Sequence, residues 1–99
     1  MRKENKMAFS KVPGENKGSI KMFTLSTCIW CKRTKQFLEN LGVEYHFTDV
    51  DLLSKEEKDA AMEELKRWNE RCSFPTLVIN DNKCIVGFKE DEIKEALGV

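Results

Sequence analysis

The chain has 99 residues, enough for one small domain and no second, and its 17 Lys and Arg are matched by 17 Asp and Glu. That balance excludes the basic excess that a nucleic-acid footprint or a polybasic membrane anchor needs. The longest apolar runs, such as Leu77-Val78-Ile79, are too short to span a bilayer, and the N-terminus has no continuous apolar stretch of the secretory kind, which predicts a soluble, cytoplasmic protein.

Residues 1–19 are rich in Lys, Glu, Asn and Gly and poor in large apolar groups. Such a stretch buries too little surface to offset its ordering entropy, so a flexible tail is predicted ahead of a domain over residues 20–99. From Ile20 to Ser26 the pattern "IKMFTLS" reads as a largely buried strand. A helix is predicted from Trp30 to Leu41, with Phe37, Leu38 and Leu41 on one side and Gly42 just past its end. Glu44 to Val50 reads as a second strand. Ser54 and Glu57 form a capping box for a helix that carries Ala61, Leu65 and Trp68 at helical spacing. Pro75 to Asn80 reads as a third strand, Asp81-Asn82 as a tight turn, and Lys83 to Gly87 as a fourth strand. A last short helix is predicted from Lys89 to Leu97, with Ile93, Ala96 and Leu97 as its apolar face.

The order β-α-β-α-β-β-α predicts an α/β fold. Its first two strands flank a helix and should be parallel with a right-handed crossover, and its last two should form an antiparallel hairpin. The expected product is a mixed four-stranded sheet with three flanking helices, in which Cys28 sits at the tip of the first strand. Reaction sites favour that carboxyl end of the strands.

Cys28 and Cys31 are separated by two residues, at the point where the strand gives way to a basic helical stretch. Cys28 falls at the mouth of the helix, where unpaired backbone N–H groups and the positive end of the helix dipole favour a thiolate, and Lys32 and Arg33 add positive charge nearby. On this reading Cys28 is the exposed nucleophile and Cys31, one turn inside, the buried resolving thiol. Two other readings stand beside it. The pair can be two ordinary buried thiols, or half of a metal site. A structural zinc site wants a second close pair of ligands, and only Cys72, Cys84 and His46 remain, each isolated. A [2Fe–2S] cluster bridging two subunits needs one thiolate per chain and an external thiol, which keeps a cluster-carrier function open.

Three stretches, "FTLSTCIWCKRTKQFLENLGVEYHFTDVD", "SFPTLVIND" and "VGFKEDEIKEAL", together resemble the glutaredoxin family, within the thioredoxin fold, from Ile20 to the C-terminus. The resemblance implies that Pro75 is a cis-proline facing the active site. That would present the backbone of Phe74 beside Cys28 for pairing with an extended disulfide substrate. It also implies that Thr76 opens the strand beside the site, and that Gly87, Glu90 and Asp91 contact the amino end of glutathione. The chain departs from the family where a Lys usually stands three residues before the first cysteine, here Leu25, and where Gly-Gly has become Gly87-Phe88. Gly87-Phe88 followed three residues later by Asp91 also resembles the NrdH-type redoxins, which draw electrons from a flavoprotein reductase.

The function expected from this resemblance is that of a thiol–disulfide oxidoreductase of the electron-transport kind. It would be a monomer with no bound cofactor, reducing protein or small-molecule disulfides. Its reductant would be glutathione, another small thiol such as coenzyme M, whose acidic group Lys32 and Lys35 would suit, or a flavoprotein reductase. Trp30, between the cysteines, is expected to be a substrate-facing lid. Trp68 and Cys84 are expected in the core, Cys72 as an inert thiol, and His46 in a structural role.

Overall fold

The computed structural model describes residues 9–99. In chain order these form β1 (Ser10–Val12), β2 (Ile20–Thr24), α1 (Ile29–Leu41), β3 (Tyr45–Asp49), a 3-10 turn (Val50–Leu52), α2 (Lys55–Trp68), β4 (Thr76–Ile79), β5 (Lys83–Val86) and α3 (Glu90–Leu97). The sheet order is β1-β3-β2-β4-β5. The β2 and β3 strands run parallel on either side of the α1 crossover, while β2–β4 and β4–β5 are antiparallel.

The sheet has five strands where four are expected. The fifth, β1, comes from within the stretch read as a tail and pairs antiparallel with β3, placing Ser10 opposite Phe47 and Val12 opposite Tyr45. Further along, the Glu15 N–H donates to the Gly42 carbonyl at 2.7 Å and the Glu44 N–H to the Glu15 carbonyl at 2.9 Å. Gly14 permits this close approach, because a Cβ there would stand 2.6 Å from the backbone carbon of Val43. The pairing uses backbone groups, and Ser10 and Lys11 are exposed, so no apolar alternation marks the strand. Residues 1–8 of the expected tail lie outside the described residues.

Local sequence accounts for the remaining elements. Gly42 ends α1 in the left-handed conformation, with its N–H on the Glu39 and Leu38 carbonyls. Ser54 and Glu57 cap α2 reciprocally. Asn80 and Asp81, both at positive φ, make the β4–β5 turn, which is closed by the Asn82 N–H on the Ile79 carbonyl. One core cluster, around Met22, Leu38, Tyr45, Leu77 and Ile93, joins the sheet to α1 and α3. The other, around Phe23, Val50, Ala61, Leu65 and Val78, joins it to α2. Burying such side chains contributes about 1.5–3 kcal/mol each, so both faces of the central strands are fixed and the carboxyl ends of β2 and β3 are held rigidly at one edge. Among the described residues, no helix is long and apolar enough to cross a membrane.

Candidate active site

The β2 strand ends at Thr24, and four residues later Cys28 caps α1 with an extended backbone, φ −85° and ψ 117°. A cap is ordinarily an oxygen; here the Cys28 sulfur takes that place and accepts the Cys31 N–H at 3.2 Å. The Cys28 N–H donates to the Leu25 carbonyl at 3.1 Å, closing the turn ahead of it. That loop is tied to the 3-10 turn by Asp51, whose carboxylate accepts both the Ser26 N–H, at 2.8 Å, and the Ser26 hydroxyl. These bonds hold the Asp51 carboxyl below the usual Asp range, the Ser26 hydroxyl contributing most.

Cys28 is partly accessible, whereas Cys31 is 0% exposed. Burial pushes the Cys31 thiol up to about 12, and its hydrogen bond to Cys28 and the charge of Cys28 add to this. Hydrogen bonding by the Leu25 backbone and the charge of Lys35 act in the opposite sense. The two sulfurs are thus unequal: one outside and supported by a backbone N–H, the other dry and proton-bound.

Beside the helix mouth lies a cleft of about 300 Å3 lined by Trp30, Phe74, Pro75, Gly87 and Phe88. The Phe74–Pro75 peptide is cis, and the Pro75 carbonyl accepts the Gly87 N–H at 2.8 Å, which locks the two loops together. Gly87 has φ +90°, a conformation that side chains with a Cβ rarely adopt. Trp30 is 53% exposed. Its ring lies 6.3 Å from that of Phe88, which meets Phe37 edge-on at 5.6 Å, and the Arg33 guanidinium covers it at 5.3 Å. Thr34, buried, donates its hydroxyl to the Trp30 carbonyl at 2.7 Å.

The cleft therefore gathers Trp30, Phe74, Pro75 and Gly87. Thr76 is fully buried behind it, its hydroxyl donating to the Ser73 carbonyl at 2.8 Å and accepting the Asn69 side-chain amide at 3.1 Å. Glu90 and Asp91 are exposed in the first turn of α3, and Lys32 is exposed on α1, none of them in the cleft lining. Lys35 is not free for an acidic thiol: its ammonium sits 3.2 Å from Asp49 and 4.0 Å from the centre of the Phe47 ring. Cys84 is half-buried and donates to the Trp68 carbonyl at 3.4 Å, and burial pushes its thiol up. Cys72 is half-buried at positive φ, and His46 is half-buried on β3 opposite Lys11 and Lys21. Among the described residues no group of three or more His, Cys, Asp or Glu gathers where it could hold a metal ion.

Sequence reasoning noted Phe88 as a departure from Gly-Gly and a resemblance to the NrdH-type redoxins, but not as the wall of the cleft that it forms. The signal available was the recurrence of large aromatic residues at positions 30, 37 and 88, whose meeting depends on the fold. It missed Asp51 and Asn69, whose hydrogen bonds hold the two loops of the site.

Comparison with known proteins follows the same lines. A glutaredoxin family model matches residues 20–85. A curated protein of Clostridium pasteurianum, an uncharacterized glutaredoxin-like 8.6 kDa protein in the rubredoxin operon, is 31% identical over 78 residues, which is 79% of this chain and 96% of that one. Among solved structures, the glutaredoxin from Methanosarcina mazei Go1 superposes with a TM-score of 0.86 at 49% identity, covering 92% of this chain and 88% of its own. Methanosarcina acetivorans methanoredoxin does so with a TM-score of 0.84 at 52% identity, covering 87% and 90%.

Proposed function

This chain belongs to the glutaredoxin family, and on that premise we propose that it is a dithiol thiol–disulfide oxidoreductase, with Cys28 as nucleophile and Cys31 as resolving thiol. The observation that carries the reading is the inequality of the two sulfurs: Cys28 partly open and accepting a backbone N–H, Cys31 sealed beneath it.

The cycle conserves atoms and electrons throughout. The Cys28 thiolate attacks one sulfur of a substrate disulfide; a new S–S bond forms, the old one breaks, and the departing sulfur leaves as a thiolate with the bonding pair. Cys31 loses its proton to solvent and attacks the Cys28 sulfur, releasing the second half of the substrate and leaving a Cys28–Cys31 disulfide. Two electrons from an external donor restore the dithiol. The apolar cleft of Trp30, Phe74, Pro75 and Phe88 receives the residues flanking the substrate sulfur, and the Phe74 backbone pairs with an extended substrate. Lys32, Thr76, Gly87, Glu90 and Asp91 complete the thiol-binding surface, Thr76 and Gly87 by shaping its backbone. Substrates are disulfide-containing proteins or small disulfides in the reducing cytoplasm, and the protein acts as a monomer.

The electron donor is glutathione, a smaller acidic thiol such as coenzyme M, or a flavoprotein reductase. An anaerobic disulfide-reduction assay supplied in turn with glutathione plus glutathione reductase, with coenzyme M, and with a flavoprotein thioredoxin reductase separates them. Rapid turnover with one donor is expected, lost in Cys28→Ser. In Cys31→Ser, reaction with small mixed disulfides should survive while reduction of protein disulfides stops. No turnover with any donor, from protein with free thiols, would refute the oxidoreductase reading and turn attention to carriage of a [2Fe–2S] cluster on the same cysteines.

A further inference from the structure

Cys31 poses a difficulty for the cycle just described. The thiol that must become a nucleophile is the one that burial keeps protonated. One cation is built into the fold beside it. Lys35 lies one turn along α1 from Cys31, and residues four apart on a helix have Cβ atoms about 5–6 Å from each other. Long helical side chains lean back over the preceding turn, which for Lys35 is the turn that carries Cys31.

The lysine is held in place from the sheet. Its side chain is 19% exposed and that of Asp49 is 17% exposed, and Nζ stands 3.2 Å from Asp49 Oδ1. Among the described residues this is the only ion pair with both partners less than a fifth exposed. Asp49 is pinned in turn: the Thr24 hydroxyl lies 2.6 Å from the same Oδ1 and 3.0 Å from the Thr48 carbonyl. The Phe47 ring, 4.0 Å from Nζ, closes the far side. The ammonium is therefore fixed between α1 and β3, directed into the fold and away from the cleft that would receive substrate.

We propose that Lys35 is a positioning charge for the resolving step: held by Asp49 and Thr24 beneath α1, it stabilises the Cys31 thiolate as that sulfur attacks Cys28. The proposal rests on the assignment of Cys31 as the resolving thiol. The Cys31 proton leaves to solvent, the Cys28–Cys31 bond forms, and the substrate sulfur departs with its electron pair. Once Cys28 is tied up in a mixed disulfide it no longer bears on Cys31 as a thiolate. Burial then remains against the Leu25 backbone and Lys35, the two influences that favour ionisation. Other charged groups on the neighbouring elements are Asp49 on β3, which partly offsets the lysine, Asp51 of the 3-10 turn, bonded to Ser26, and the exposed Lys32 and Arg33 on α1; β2 contributes the neutral Thr24.

The two chemical steps can be read separately with an aromatic disulfide, 5,5′-dithiobis(2-nitrobenzoate), kept below one equivalent so that only the fastest thiol is loaded. Attack by Cys28 releases one coloured thiolate, and displacement by Cys31 releases the second. Opposite charges within about 4–6 Å move a pKa by about 1–3 units, and a lysine one helical turn from Cys31 and drawn towards Asp49 belongs at the low end. Lys35→Gln should therefore lower the Cys31 thiolate fraction at neutral pH about tenfold and, because a more basic thiolate is also the better nucleophile, slow the second release about three- to fourfold. The first release should stay unchanged, and the deficit should close as the solution becomes alkaline enough to ionise Cys31 directly. Lys35→Arg should restore the rate.

Removing one member of a buried ion pair can cost folding, so Lys35→Gln/Asp49→Asn, which keeps the pair as neutral amides, is the second variant. It should show a slowed second release of smaller size, because the offsetting Asp49 charge is removed with the lysine. An unchanged second release in the folded double variant, or an equal loss in both releases at every pH, overturns the proposal. If the parent protein gives a first release and no second, the resolving role of Cys31 itself fails, which the parent trace alone reveals.

Discussion

Asn69 sits at the end of α2, six residues before the cis-proline, and its side chain makes three hydrogen bonds. Its amide nitrogen donates to the Ser73 hydroxyl at 2.9 Å and to the Thr76 hydroxyl at 3.1 Å, and its oxygen accepts the Arg71 N–H at 3.2 Å. This knot is what shapes the loop carrying Phe74 and Pro75, since Ser73 and Thr76 bracket them. Asn69→Ala removes all three bonds at once. A net worth of about 0.5–1.5 kcal/mol each, taken near the lower end because Asn69 is only half-buried, gives a loss of roughly 2 kcal/mol. For a domain near 100 residues that lowers Tm by roughly 10 °C. Asn69→Asp keeps the acceptor and loses both donations, so it should fall between the parent and the alanine variant. Thermal and urea unfolding measure the stability change, and protein-disulfide reduction beside a small-disulfide assay measures the site. On the proposed pairing of a protein substrate with the Phe74 backbone, reduction of the protein should suffer more. A Tm within about 2 °C of the parent, with both activities intact, would refute the view that this knot shapes the site.

Further consequences are open to equally direct measurement. Phe88→Gly takes away the ring that rests on Phe37 and Trp30; a loss of about 1–2 kcal/mol is expected, with a red shift of tryptophan emission as Trp30 loses its neighbour. Because the Asp51 carboxyl is held low by Ser26, its contribution to stability is fully present above the unfolded Asp pKa of about 3.9 and is lost as the pH falls through the folded value. Asp51→Asn should therefore be less stable than the parent at neutral pH and indistinguishable from it in strong acid, as melts at the two pH values will show. Cys31 is displaced the other way, from 9.0 to about 12, so its contribution is complete below the unfolded value and falls away as the pH rises from 9.0 towards about 12. Replacing it with Ser should remove that alkaline decline in stability. In the parent at neutral pH, alkylation followed by mass spectrometry should find Cys28 modified and Cys31 protected.

The elements that sequence reasoning located are those with local chemistry. Ser54 and Glu57 are three residues apart and announce the start of α2; Gly42 announces the end of α1; the run from Ile20 is apolar enough to be placed at once. The order of strands and helices then implied the parallel β2–β3 pair and the β4–β5 hairpin. What escaped had no local signature. The pairing of β1 with β3 is carried by main-chain groups of exposed residues. The Lys35–Asp49 pair joins positions 14 residues apart, and from the sequence Lys35 is expected, with Lys32, to suit the acidic group of a small thiol. The wall made by Phe88 depends on two rings from α1, and Asn69 reads as ordinary loop polarity until Ser73 and Thr76 are seen to close on it.

The short first strand has a consequence for the sheet as an assembly hazard. Without it, β3 would present its outer row of N–H and C=O groups to solvent, a template on which a second chain could add a strand. β1 occupies that template from within, and it offers a poor one in exchange: three residues, a lysine at its centre, and Pro13 directly after it, which cannot donate. The segment thus works as a tethered competitor, present at high local concentration and always first to bind. A chain trimmed to Ile20–Val99 should keep its two cores and its cysteines yet become a protein whose solubility depends on concentration.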